Sequence, residues 1–168
     1  VRAARAVSAV YRGRSLDAAL AEIFSTAFAQ LGGERALIQE MAYGALRWHF
    51  QLLPLLHVFL EKPFKDKDAD LEALLVIGFY QLLHMRVAAH AAVKETVEAT
   101  VVLKKDWAKG MTNAVLRRVL REEAALRARI ATDEQLALAH PAWLLARIKE
   151  VYPDNWHGIA AANNARPP

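Results

Sequence analysis

Four arginines precede the first acidic residue. Arg2, Arg5, Arg12 and Arg14 all lie before Asp17, so the first 16 residues carry +4 from side chains, as much as the net charge of the whole 168-residue chain. At 100° per residue, Arg2, Arg5 and Arg12 fall on one side of a helix, opposite Ala3, Ala4, Ala6, Val7, Val10 and Tyr11. Guanidinium groups along one helix face are the footprint of phosphate binding, because each contact releases a counterion from a nucleic acid. A second concentration, Lys104, Lys105, Lys109, Arg117, Arg118 and Arg121, is partly offset by Asp106, Glu122 and Glu123. Within it Lys109, Asn113, Arg117 and Arg121 recur every fourth residue and line one side of a helix. The competing reading of both groups is a solvated face with local pairs such as Arg118 with Glu122. Phosphate binding is favoured for the N-terminal arginines, and the solvated face for the second group. Tyr11, Trp48, Tyr80, Trp107 and Trp143 carry rings that can stack on bases. They sit on apolar stripes, however, where core packing is the stronger expectation.

Other chemistry is missing from these residues. There is no cysteine, which excludes disulfides, thiolate zinc sites and a thiolate nucleophile within the 168 residues and fits a reducing compartment. The histidines at 49, 57, 84, 90, 140 and 157 form no i,i+4 pair, and Glu95 and Glu98 have no Glu-x-x-His partner, so no metal site is expected. No glycine-rich loop fits a dinucleotide, P-loop or kinase pattern, and no serine sits in a Gly-x-Ser-x-Gly elbow. The longest strongly apolar run, Ala73 to Tyr80, is far short of the roughly 20 residues of a membrane span. No signal peptide opens the chain, and a cytoplasmic location is expected. The start at Val1 and the end at Arg166-Pro167-Pro168 suggest a piece of something longer.

The elements that must position the cations are helices. Ala (33) and Leu (23) make up a third of the chain, against 7 Gly and 6 Pro, a composition that disfavours sandwiches, barrels and disorder. The spacing predicts a helix over 1–12 stopped at Gly13, and a second capped by Ser15 and running to about Ala29, where Gly32-Gly33 breaks it. A helix over 34–50 follows, with Gly44 marking a close crossing, then a short one over 53–60 ended by Pro63. Leu71–Met85 is apolar nearly all round and is expected to be the buried central helix. Helices over 91–105, with a Val93, Val97, Val101 stripe and a Lys94/Glu98 pair outside, and over 107–123 come next, the latter extended by 124–130. Thr132 would cap a short helix to Ala139, and Pro141 and Pro153 would each open one more. The total is roughly nine or ten helices: an all-α, compact bundle over 1–131 with a small C-terminal helical extension over 132–168.

An ordered set of segments then carries a resemblance. Glu34-Arg35, Gln39-Glu40 and Tyr43-Gly44-Ala45-Leu46-Arg47, then Gly78-Phe79-Tyr80-Gln81-Leu82-Leu83, Ala91-Ala92-Val93-Lys94-Glu95-Thr96-Val97-Glu98 and Asn113-Ala114-Val115-Leu116-Arg117 resemble the NusB-like all-helical RNA-binding domain. His140-Pro141-Ala142-Trp143-Leu144 and Ala162-Asn163-Asn164-Ala165-Arg166-Pro167-Pro168 are similar to the linker that joins such a domain to the catalytic part in the RsmB-type bacterial ribosomal RNA cytosine-5 methyltransferases. The resemblance implies an enzyme that uses S-adenosylmethionine and two cysteines on a Rossmann-like domain. This chain has no cysteine and no cofactor loop, so the implied role here is non-catalytic: binding and orienting small-subunit ribosomal RNA for an attached methyltransferase domain. A thiolate must add to carbon 6 of cytosine before carbon 5 becomes nucleophilic, so a chain without thiols cannot run that chemistry.

By the same resemblance Arg2, Arg5 and Arg12 belong to the arginine-rich RNA-binding element. The residues expected to touch RNA are Arg2, Arg5, Arg12, Arg14, Lys104, Lys105, Lys109, Arg117 and Arg121. Arg47 and Arg117 lie inside the shared segments and Arg86 between two of them; pairing with Glu40, Glu95 or Glu98 is favoured there over RNA contact. Asn113 is expected to be a buried polar anchor. Trp143, Asn163, Asn164, Pro167 and Pro168 are expected at the junction with the catalytic part, the asparagines capping the last helix. Two other roles stay open: a protein-interaction or docking module, which an exposed apolar patch around Trp143 and Leu144 would favour, and a NusB-like transcription antitermination factor, disfavoured by the long tail after Ile130.

Overall fold

A helix that is apolar on nearly every side is stable only with neighbours all round it. Ala69–His84 (α5) is such a helix: from Leu71 to Leu83 every residue except Glu72 and Leu82 is buried. In the computed structural model, which describes residues 1–26 and 33–165, it lies at the centre. Packed on it are α1 (Arg2–Tyr11), α3 (Glu34–Arg47), α4 (His49–Val58), α6 (Ala89–Val102) and α7 (Lys109–Arg121). α2 (Leu16–Thr26) packs on α1. The described residues contain no strand, and the all-α bundle with a small helical extension is the observed fold. The expected continuation of α2 to Ala29 and the break at Gly32 lie outside the described residues.

Two glycines let the helices close. A Cβ on Gly44 would fall 2.0 Å from Cζ of Tyr80, and one on Gly78 would fall 2.9 Å from Cδ2 of Leu116. The expected crossing at Gly44 is therefore the α3–α5 contact, and Gly78 supplies a second, between α5 and α7.

Several boundaries differ from the sequence expectation. The helix expected over 34–50 ends at Arg47, and α4 begins at His49, with Trp48 between them and Pro54 inside α4. Trp48 stacks on His84 with ring centroids 4.4 Å apart, an attraction that periodicity cannot register. Likewise α7 stops at Arg121, and α8 (Glu123–Thr132) is a separate helix. Thr132 ends α8 by donating its hydroxyl to the carbonyls of Ala128 and Arg129; the cap of α9 (Glu134–Leu138) is Asp133, which accepts from the Leu136 amide at 3.1 Å. Pro141 is the N-cap of α10 (Ala142–Val151), and a turn over 153–155 separates it from α11 (Trp156–Asn163). Of the valine stripe on α6, Val93 and Val97 are buried, while Val101 is exposed.

The main core extends to Leu136. Gln51 ties α9 to it by donating from Nε2 to the Leu136 carbonyl at 2.8 Å, while its Oε1 accepts from Nε2 of His84 at 2.6 Å. Burial, reinforced by Arg127, pushes the His84 imidazole down to about 4, so the ring is neutral with its proton on Nε2. Leu138, Leu145 and Ala160 form a separate small core with Trp156.

Candidate nucleic-acid interface

The first helix is built to show its arginines. Ala3, Ala4, Ala6 and Val7 are 4% exposed or less, and such small side chains let α1 lie close against α5. Gly13, with φ of +89°, ends the helix in a backbone conformation that side-chain-bearing residues seldom adopt, and Arg12 and Arg14 flank that turn. Tyr11 anchors the same end, its hydroxyl donating to Nδ1 of His49 at 3.3 Å. Burial, and then the charge of Glu72, raise the Tyr11 phenol well above its usual range, and burial lowers His49. Both groups are neutral at physiological pH, which this hydrogen bond requires.

The arginines divide into two kinds. Arg5 and Arg12 are exposed and make no ion pair among the described residues. Arg2 pairs with Glu34 at 3.0 Å and Arg14 with Glu22 at 2.7 Å, each pair partly or largely exposed. Exposed pairs are worth about 1 kcal/mol or less, so a polyanion can displace either carboxylate cheaply. Along the helix axis, Arg5 and Arg12 stand roughly 10 Å apart.

Lys105 is a correction. It was expected on the RNA surface, but its side chain is only 13% exposed; its ammonium lies 2.5 Å from Asp68 and 3.1 Å from Asp70 and donates to the Lys67 carbonyl at 3.0 Å. It pins the loop after α6 to the turn before α5. Lys104, by contrast, is exposed, with φ of 59°. Lys109 is 3.4 Å from Glu98, so Glu98 faces Lys109 and not the expected Lys94. Arg117 donates from Nε to Oδ1 of Asn113 at 3.0 Å; Asn113 is half-buried, and its role is to orient this guanidinium. His90, Lys94, Asn113 and Arg117 meet in a groove of about 570 Å³ between α6 and α7. Arg121 is 70% exposed and 3.8 Å from Glu122, which Arg118 engages more closely at 2.8 Å. Arg118 also lies over the Phe59 ring at 4.6 Å. The second group is thus part ion-paired face, part open cation.

The aromatic residues also divide. Tyr80 is buried and Tyr11 and Trp48 half-buried, as expected. Trp107 and Trp143 are not core residues: they are 65% and 71% exposed. Trp107 stands on the 3-10 turn Asp106–Ala108, ahead of α7, where the helical phase of the stripe behind it does not hold.

At the C-terminal end, Asn163 donates to Nε2 of His140 at 3.3 Å, Asn164 donates to the Leu138 carbonyl, and His140 donates to that carbonyl from Nδ1. Asn163 ends α11 and Asn164 is its C-cap, as expected, and their side chains also tie the helix back onto the 138–140 segment. Pro167 and Pro168 lie outside the described residues. Among the described residues no group of His, Cys, Asp and Glu could hold a metal ion, and no helix is long and apolar enough to cross a membrane.

Comparison with known proteins gives two family matches. Residues 2–121 match the model of the NusB family, and residues 140–168 match one described as "Methyltr_RsmF/B-like, ferredoxin-like domain". The chain is 46% identical over 170 residues to the ribosomal RNA small subunit methyltransferase B of Pseudomonas putida, an alignment covering 99% of this chain and 38% of that protein. Its counterpart in Pseudomonas syringae is 44% identical, with 99% and 37% covered, and that of Proteus mirabilis 40% identical, with 99% and 39% covered. The chain therefore spans under two fifths of the length of these relatives.

Proposed function

Because this chain belongs to the NusB family, we propose that it is the RNA-holding part of a larger small-subunit ribosomal RNA methyltransferase. In this reading α1 grips phosphates of a folded ribosomal RNA segment, so that an adjoining domain reaches its target cytosine. The observation that carries it is the set of outward arginines on α1 and the Gly13 turn that ends it, with Arg5 and Arg12 unpaired among the described residues and Arg2 and Arg14 in weak, partly or largely exposed pairs. Lys104, Lys109, Arg117 and Arg121 would add secondary phosphate contacts. Phosphate contacts of this kind fix register and orientation and leave base reading to another surface.

The residues present do not fit S-adenosylmethionine. The chain has no cysteine, and the described residues offer no strand leading through a glycine-rich turn into a helix. The cofactor and the thiolate chemistry are assigned to the attached domain.

The test is a titration of the chain with a small-subunit ribosomal RNA fragment at several salt concentrations. Each lost phosphate contact should lower the slope of log K against log salt by about 1. Unchanged affinity and slope in Arg5→Ala/Arg12→Ala would remove the arginine face from the reading.

A second role is favoured by one observation: Trp143, Val151 and Tyr152 of the α10 region are 71%, 47% and 54% exposed. These exposed apolar residues lie in the part matched to the ferredoxin-like domain, with Leu144 half-buried beside Trp143, and would pack on the remainder of the longer protein. Docking through α10 and RNA holding through α1 would use different elements and can coexist.

A further inference from the structure

Helices that pack side by side leave a trough between them, and the side chains that line it decide what it can take. Between α6 and α7 the floor is apolar: Val93 and Val97 are buried and Ala89 and Leu120 half-buried, under an open space of about 570 Å³. Ala89, Val93 and Val97 recur every fourth residue, so they form one line along α6 for about 12 Å, or two turns. None of the described residues lining this space is Phe, Tyr or Trp.

The rims carry cations. Lys94 on α6 and Arg117 on α7 are exposed and make no ion pair among the described residues. The acid on the wall, Glu98, faces Lys109 at 3.4 Å and leaves both of them uncompensated. Arg117 is also aimed. Its Nε donates to Asn113, one turn earlier, at 3.0 Å, which fixes the plane of the guanidinium and turns its two Nη groups to a second partner. His90, one turn before Lys94, adds a further polar edge.

An apolar floor two helical turns long between cationic rims suits a helix whose apolar stripe faces down and whose flanks are acidic. RNA suits it less well: an unstacked base needs a ring to lie on, and phosphates gain nothing from a valine floor. We infer that the α6–α7 groove is a docking site for an acidic amphipathic helix of a separate protein, with its apolar stripe on Val93, Val97 and Leu120 and its carboxylates on Lys94 and Arg117. The groove is built wholly from NusB-matched residues and shares none with α1 or α10. It is therefore independent both of the RNA-holding role and of docking to the remainder of the longer protein. Arg117 then serves a carboxylate in place of an RNA phosphate.

The test titrates the 168-residue chain with a labelled helical peptide of about sixteen residues, long enough to hold a helix, with a leucine stripe flanked by glutamates. Its controls are the same residues in scrambled order, a version with lysine for each glutamate, and a stem-loop from small-subunit ribosomal RNA; anisotropy is the readout. The acidic amphipathic peptide should bind at least tenfold more tightly than either control peptide. Arg117→Ala should weaken it roughly tenfold, the worth of one bidentate ion pair. Lys94→Glu should weaken it too and tighten the lysine version. Both residues are exposed, so both variants should melt like the wild type. Arg5→Ala/Arg12→Ala should leave peptide binding unchanged. Equal affinity for the ordered and scrambled peptides, or no loss in Arg117→Ala, overturns the docking site and leaves the RNA-holding role standing. Stem-loop affinity that falls in Arg117→Ala and Lys94→Glu, with no peptide binding, overturns it in favour of RNA. A separately produced methyltransferase domain that displaces the peptide from the wild type, and no longer binds Arg117→Ala, overturns it in favour of the longer protein itself.

Discussion

The Tyr80 ring fills the space that a side chain at Gly44 would need. A Cβ there would lie 2.0 Å from Cζ and 2.2 Å from the hydroxyl oxygen, and that hydroxyl donates to Glu40, one turn earlier on α3, at 2.7 Å. The α3–α5 crossing is thus set by one missing side chain and one hydrogen bond.

Gly44→Ala should destabilise the chain by about 3 kcal/mol or more, since overpacking outweighs the roughly 1 kcal/mol that alanine gains in a helix. Gly110 has nothing within 4 Å of its Cβ position, so Gly110→Ala should be neutral or stabilise by about 0.5 kcal/mol. Urea unfolding of the two variants checks both signs. Equal effects would mean that the crossing is not tight.

Lys105→Met should separate structure from binding. It leaves Asp68 and Asp70 facing each other without their cation, at a cost of about 2 kcal/mol. The salt slope of stem-loop binding should stay at the wild-type value, whereas Arg12→Ala lowers it by about 1. A lower slope in Lys105→Met would return this residue to the RNA surface.

Stability should fall on mild acidification. The His84 ring titrates at about 4 in the fold, below the usual 6.5, so in that window the unfolded chain binds the proton and the folded one does not. Stability attributable to His84 is complete above about 6.5 and lost as pH falls towards 4. His49, also lowered by burial, adds in the same direction. Unfolding midpoints at pH 7 and pH 5 should differ more in the wild type than in His84→Gln; identical differences would refute the assignment.

Trp143→Ala should leave the unfolding free energy within about 0.5 kcal/mol of wild type, because the ring is 71% exposed. It should weaken association with a separately produced methyltransferase domain, and that association should be insensitive to salt. Association that is unaffected by the substitution would dismiss this patch as the docking surface.

Periodicity made α1, α5 and the glycine crossing legible, because each depends on neighbours within one or two turns. Lys105 was misread because its partners, Asp68 and Asp70, lie more than thirty residues away, and its own neighbourhood in sequence is basic. Trp107 was misread because Trp107, Met111 and Val115 continue a helical stripe on paper, while the chain there is a 3-10 turn. The α6–α7 groove had no local signal at all: Lys94 and Arg117 come from different helices and meet only in the fold. Trp48 broke a predicted helix through stacking on His84, again a partner distant in sequence.

The amide of Gln51 reaches across to the main chain of α9, beyond the NusB-matched residues 2–121. A truncation after residue 131 would strip that acceptor away and orphan a buried donor at the foot of the bundle, beside the Trp48–His84 stack. Trimmed versions of the molecule should therefore keep at least the turn of backbone through Leu138, or they will start life with a polar void where the longer chain has a seal.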